Sequence, residues 1–338
     1  MTQPNSHFFP VECSILSASA LQEQILPCYS LKQVTDCFLL QHGDNDTYIV
    51  YQGATKYILR VWSKDERTHA EIEAEVELLD YLAQNDVPVA KPLKRVDGRY
   101  LTEVNAPEGM RFVGIFHYAE GVIPGWQITP EQSFCYGQGV AKMHCTFDEL
   151  TSPYLRPQWN LAKLLVGPLD TIHPMLIHRP SDQRYLVDLV EILSEKLADM
   201  PQTQPVFGLC HGDLHKANLL WTDDQQLTLL DFDLCGYGWR AYDLAILFWS
   251  TCHLKQAKAV REAYISGYGE VRPLESIELQ TLPYFVAVRD IYIMQTRVGH
   301  MRRGVVDSQR VDQKFFDERF DFLRRWMKAV QDDSYYGL

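Results

Sequence analysis

The apolar pattern of this chain changes period once, and the change divides it into two unlike parts. Residues 34–61 alternate apolar with polar, interrupted by "HGDND" at 42–46 and "QGATK" at 52–56, both built from turn-forming residues. Strand side chains point to opposite faces with period two, so this stretch predicts a three-strand antiparallel meander. Residues 66–86 then carry Ile72, Val76, Leu79 and Leu82 at helical spacing. The prolines of "VPVAKPL" exclude helix, and two more strands are expected at 100–104 and 111–118. Beyond this point the pattern is helical. Thr129, Pro130 and Glu131 read as a helix start: a capping hydroxyl, a proline at the first helical position and an acid in the first turn. Helices are expected at about 130–150, 181–199, 240–269, 275–300 and 310–332. A chain of 338 residues is long for one core. The expected architecture is α+β in two lobes: a small antiparallel-sheet N-terminal lobe with one helix (1–118) and a larger helical C-terminal lobe (119–338).

One stretch interrupts the helical part. "LCHGDLHKANLLWTDDQQLTLLDFD" (209–233) reads as strand, loop, strand, and it gathers His211, Asp213, His215, Asn218, Asp231 and Asp233. A solvent-facing hairpin explains Gly212 and Asp223–Asp224. It does not explain Asp231 and Asp233, which alternate with Leu230 and Phe232. A carboxylate in an apolar strand loses its hydration, and a cation or donors must replace it. Cys210, His211 and His215 suggest a structural zinc site, but such sites take four N or S ligands and no second pair is near. Phosphoryl transfer needs a carboxylate at the attacking hydroxyl and hard oxygen ligands for Mg²⁺. Protein kinases meet this need with H-R-D-x-x-x-x-N and an Asp after the next strand. Here His211, Gly212, Asp213 and Asn218 keep that spacing, and Asp231 follows thirteen residues later.

"HGDLHKANLL" followed by "LLDFD" resembles the catalytic core of the aminoglycoside phosphotransferase family, which includes choline and homoserine kinases and has a two-lobe protein-kinase-like fold. Other segments are similar in order: "HGDNDTYIVY" (42–51), "YILRV" (57–61), "EVELLDYL" (75–82), "GQGVAKMH" (137–144) and "GWRAYDLA" (238–245). The resemblance spans about residues 34–300. It implies Asp213 as the catalytic carboxylate, His211 as a scaffold of the catalytic loop, and Asn218 and Asp231 as Mg²⁺ ligands. It implies that Asp243 braces the loop and that Glu75 pairs with the strand cation. The family usually has Lys at that strand position; this chain has Arg60, a planar fork instead of a point charge. Lys56 lies four residues away on the same strand face and is the alternative. Gly43 and Asn45 match the phosphate-covering turn, and also suit an ordinary hairpin turn. For Asp233 two readings stand, metal ligand or turn cap. His144 reads as a packed scaffold histidine.

The implied activity is ATP- and Mg²⁺-dependent transfer of a phosphoryl group to a hydroxyl of a small molecule, with amino alcohols among the candidates. The alternatives are a Ser/Thr protein kinase of the stress-response type and a nucleotide-binding pseudokinase scaffold. In this family the late helices line the acceptor pocket. The helix over 284–300 is mostly core by periodicity but holds Arg289, Asp290 and Arg297. Asp290, in an acidic chain, predicts a pocket of net negative charge that favours amines. The formal net charge of -12 disfavours nucleic-acid binding. The N-terminus has no secretory pattern, and the apolar run "LAILFW" is too short to span a bilayer. Eight scattered cysteines without a C-x-x-C pair suggest reduced thiols in the cytoplasm. A monomer or homodimer is expected.

Overall fold

The computed structural model describes residues 9–337 except 44, 65, 66, 125–127, 223, 225 and 303–310. The chain divides into two compact units, Met1–Glu120 with Ser152–Leu155, and Gly121–Thr151 with Arg156–Leu338.

The first unit holds α1 (Ala18–Gln24), β1 (Asp36–Gln41), β2 (Asn45–Gln52), β3 (Thr55–Trp62), α2 (His69–Gln84), β4 (Thr102–Ala106) and β5 (Gly109–His117). The five strands form one sheet in the order β1-β2-β3-β5-β4, with every neighbour antiparallel. The expected meander is its first three strands. Period two sends Tyr57, Leu59 and Val61 of β3 into a core with Leu21 and Leu26. Ile58, Arg60 and Trp62 therefore take the opposite face. Helix α2 starts where Thr68 and Glu71 form a reciprocal capping box.

The second unit holds α3 (Pro130–Glu149), β6 (Gln158–Trp159), α4 (Gly167–Ile172), α5 (Pro180–Leu197), β7 (Phe207–Cys210), β8 (Leu219–Trp221), β9 (Leu227–Leu229), β10 (Gly236–Trp239), α6 (Arg240–Ser250), α7 (Ala257–Val271), α8 (Ser276–Arg302) and α9 (Gln313–Gln331). Thr129 caps α3 with Pro130 at its first turn, as the sequence predicts. Helices α3 and α7 pack so closely that a Cβ on Gly137 would sit 2.1 Å from the Tyr264 carbonyl oxygen. This close approach explains the first glycine of the "GQGVAKMH" segment.

The expected helix over 240–269 is two helices, α6 and α7. Buried Arg261 of α7 reaches back to the Phe248 carbonyl (2.8 Å) and the Thr251 hydroxyl (3.3 Å), occupying the C-terminal end of α6. Ten of the eleven α6 residues are buried. A helix buried on all sides carries its polar residues into the core, and that is how Asp243 comes beneath the turn after β7.

Candidate active site

The turn after β7 is built on Gly212. Its φ is +84°, and a Cβ there would lie 2.6 Å from the Leu234 carbonyl oxygen. Only glycine fits this backbone without strain. From α6, Asp243 accepts the Gly212 amide at Oδ1 (2.8 Å) and the His211 amide at Oδ2 (2.7 Å). His144 Nε2 donates to the same Oδ2 (3.0 Å), and the Tyr268 hydroxyl donates to His144 Nδ1 (2.8 Å). Burial holds the His144 ring well below its usual pKa, so it is neutral. Burial pushes the Asp243 carboxyl up, opposed by His211 and the two backbone amides. His144, Cys210 and Asp243 lie close enough to ligate a metal. Both His144 nitrogens and both Asp243 oxygens are already hydrogen-bonded, however, so the trio is a core network. Cys210, His211 and His215 do not cluster in this way, so the zinc reading of these three residues has no common centre. Asp243→Ala strips an acceptor from three buried donors. It is expected to cost about 3 kcal/mol or more, read as a lower urea midpoint; Asp243→Asn, which keeps one carbonyl, should lose less. Parent-like stability of Asp243→Ala would remove the bracing role.

His211 is buried and its pKa is lowered by burial against the pull of Asp243 and Asp213. Its Nε2 donates to the Leu230 carbonyl (2.9 Å), so Nδ1 accepts the Asp213 amide (3.2 Å). The ring thus ties the turn to the end of the β8–β9 hairpin. Asn218 directs its amide nitrogen to the Asp213 carbonyl (3.0 Å) and to Asp213 Oδ2 (3.2 Å), which leaves its side-chain oxygen pointing elsewhere. The Leu230 amide donates to the Asn218 carbonyl (2.9 Å), so the next residue, Asp231, stands beside Asn218.

Asp231 corrects one expectation. It is not a buried carboxylate inside a strand: β9 ends at Leu229, and Asp231 is exposed with φ +64°. Its backbone is left-handed, a conformation that Asp adopts more readily than most residues.

Asp213 has a partner the sequence did not reveal. Arg289 of α8, 76 residues away, bonds Asp213 Oδ1 through Nη2. Arg289 Nη1 reaches the Gly212 carbonyl (3.4 Å) and the Tyr242 hydroxyl (3.5 Å). His215 Nε2 lies 3.4 Å from Asp213 Oδ2. Burial would raise the Asp213 pKa, but Arg289, and then His215, outweigh it and hold the carboxyl well below the usual range. The signal in the sequence was an arginine in an apolar helix; nothing in it named the partner.

In the first unit, Glu75 of α2 is buried and holds two arginines. Arg60 Nη1 is 3.2 Å from Oε1, the pairing the family resemblance implied, and Arg67 binds Oε2. Arg67 was not anticipated. Lys56 instead pairs with Glu120 (3.3 Å) and lies over the Tyr118 ring. Asn45 opens β2 and accepts the Ser63 amide (3.2 Å), while Gly43 stays in the turn before it. That turn is anchored by buried Asp46, bonded to Arg111 (2.9 Å) and His42 (2.5 Å).

A carboxylate held ionised in a braced turn, with an amide oxygen and a second carboxylate beside it, is the equipment of a phosphotransferase. Residues 39–276 match the phosphotransferase enzyme family, and the chain belongs to that family. The chain is thus a phosphotransferase. The homoserine kinase of Brucella anthropi is 28% identical over 87% of this chain and 87% of its own. The microcompartment-associated aminopropanol kinase has a TM-score of 0.75 at 24% identity, covering 94% of this chain and 99% of that one. Amicoumacin kinase hAmiN, solved with AMP-PNP, Ca²⁺ and Ami, has a TM-score of 0.70 at 22% identity over 93% and 94%. These structures share the kinase-like fold expected from the sequence.

Proposed function

We propose that this chain transfers the γ-phosphate of Mg-ATP to a hydroxyl of a small metabolite, with Asp213 as the carboxylate that receives the hydroxyl. The observation that carries the reading is the Asp213 turn: its backbone is fixed by Asp243 and His211, and its carboxylate by Arg289 and Asn218. A carboxylate of depressed pKa is a weak base. It suits a reaction with a loose transition state, where the protein mainly positions groups and places charge. Asp213 orients the acceptor hydroxyl and takes its proton late.

The donor set fits a divalent cation. Asn218 offers an amide oxygen and Asp231 an exposed carboxylate, both hard ligands on adjacent backbone, and we assign them to Mg²⁺. When bound, the metal neutralises charge developing on the phosphates. Arg60, fixed by Glu75, supplies a cation for the phosphates, and the turn with Gly43 and Asn45 covers them. Residues 1–118 then serve the nucleotide, and 119–338 serve catalysis and the acceptor. Hydroxyl-bearing small molecules are the acceptors of the named relatives, which supports a metabolite over a protein. No described helix is long and apolar enough to cross a membrane. We assign the chain to the cytoplasm, as a monomer or homodimer without a nucleic-acid partner.

ADP release tests this reading, measured with pools of amino alcohols, hydroxy acids, sugars and antibiotics, and separately with an unfolded protein substrate. Turnover is expected with one small-molecule pool. Phosphorylation of protein alone would favour the protein-kinase alternative. ATP binding without turnover on any pool would leave a scaffold.

A further inference from the structure

A cavity of about 1020 Å³ opens beside the Asp213 turn, with His215 and Lys216 forming one wall. Its volume is of the size that takes a small molecule. The other walls come from the end of α6 and the segment after it, from α8 and from α9.

The charge of this lining opposes that of the chain. Lys216, Lys255, Arg297, Arg319 and Arg325 face it, against the carboxylates Glu318 and Asp321. The whole chain carries -12. The expectation of a negative pocket around Asp290 is corrected here. Asp290 is fully buried behind the wall, where its Oδ1 accepts from Arg319 (2.9 Å) and Trp249 (2.8 Å). It braces the lining and does not face a ligand.

Two of the five cations have local duties. Arg319 is taken by Asp290, and the Lys216 ammonium lies 3.1 Å from His253 Nε2. The other three are exposed. Among the described residues, the Lys255 and Arg297 side chains make no ion pair or hydrogen bond, and Arg325 reaches only the Asp321 carbonyl of its own helix (3.4 Å). On the acidic side, Glu318 is shared with Lys314 (3.8 Å). Like charges gathered around a concave surface repel one another and attract a counter-charge. Two of the three exposed cations are arginines, whose planar forks match the oxygens of carboxylates and phosphates. Arg297 also sits on the helix that carries Arg289, about 12 Å further along its axis. His215, whose Nε2 lies 3.4 Å from Asp213 Oδ2, and Arg297 both line the cavity, so it joins the Asp213 turn to this arginine.

We propose that this cavity is the acceptor pocket and that the acceptor carries an anionic group, a carboxylate or a phosphate monoester, in addition to the hydroxyl that is phosphorylated. The inference rests on the phosphotransferase reading of the Asp213 turn and adds the acceptor's chemical class. Glu318 and Asp321 leave room for an amine on the same molecule, so an amino alcohol bearing a carboxylate suits the lining better than the amino alcohol alone.

Matched acceptors test the proposal on the full chain: ethanolamine against serine, 3-aminopropan-1-ol against homoserine, and glycerol against glycerol 3-phosphate. The expected result is a kcat/KM at least about tenfold higher for the anionic member of one or more pairs, the scale of one charge-assisted hydrogen bond. The first two pairs report a carboxylate and the third a phosphate. Arg297→Gln and Arg325→Gln should each lower the anionic-to-neutral ratio about tenfold, mainly through the acceptor KM. Arg297→Glu should turn the preference toward the neutral member. Both arginines are exposed, so these changes leave the core intact. A preference for the neutral member in every pair, or an anionic preference untouched by the arginine variants, overturns the proposal. Calorimetric titration of the same pairs separates it from the kinase reading. Binding of the anionic member that Arg297→Gln weakens supports the pocket even if no ADP is released. Absence of binding by every member overturns it even if ADP is released with other acceptors.

Discussion

Asp213→Asn is expected to lower kcat by about 10²-fold or more, the scale of lost general-base catalysis, while Mg-ATP binds within a few-fold of the parent. The substitution keeps the shape and removes the charge. Asn218 and Asp231 supply the metal ligands on this reading, so the nucleotide complex should survive. The structure adds a second consequence. Arg289 is buried and spends its Nη2 on Asp213. Facing an amide instead of a carboxylate, its charge is left without a counter-ion, at a cost on the order of 3 kcal/mol. Urea unfolding should show that loss. Asp213→Asn combined with Arg289→Met should recover stability without recovering turnover, which separates the catalytic effect from the structural one. ADP release and calorimetric titration measure both quantities. Equal losses of rate and nucleotide affinity would make Asp213 a structural or metal-site residue. An unchanged kcat would remove this turn from catalysis.

Asp231→Ala should abolish turnover, by about 10³-fold or more, the several kcal/mol of charge stabilisation that a bound metal provides. Added Mg²⁺ should no longer strengthen ATP binding. The left-handed backbone at φ +64° complicates alanine, which tolerates that conformation poorly. Asp231→Asn is therefore the sharper variant, since Asn accepts the backbone and lacks the charge. The same loss in both variants assigns the effect to the carboxylate. ATP affinity that still rises with Mg²⁺ in Asp231→Asn would end the ligand assignment. Activity retained by Asn and lost by Ala would make the residue a backbone device.

Elements and local turns were legible because their causes are local. The β2–β3 turn, the Thr129 cap and the H-x-D-x-x-x-x-N spacing each lie within a few residues. Boundaries set from a distance were not. Nothing in "TCHLKQ" (251–256) contains a glycine or proline, yet the helix breaks there because Arg261 takes the carbonyl end of α6. The same limit applied to Asp231. Alternation with Leu230 and Phe232 suggested a strand, but pairing in the hairpin stops at Leu229, and the backbone then turns left-handed.

The sequence by itself determined which groups the Asp213 turn contains, since their order along the chain is also their order around the turn. It determined the sheet-then-helix division, since period is a property of neighbours. Tertiary structure alone decided how the late charges are used. Arg289, Asp290 and Arg297 share one helix, but one binds Asp213, one is buried against Arg319, and one faces the cavity. A helical period gives the direction of each side chain about the axis. The partner that waits in that direction comes from segments tens of residues away, and it is the partner that fixes whether a charge braces, catalyses or binds.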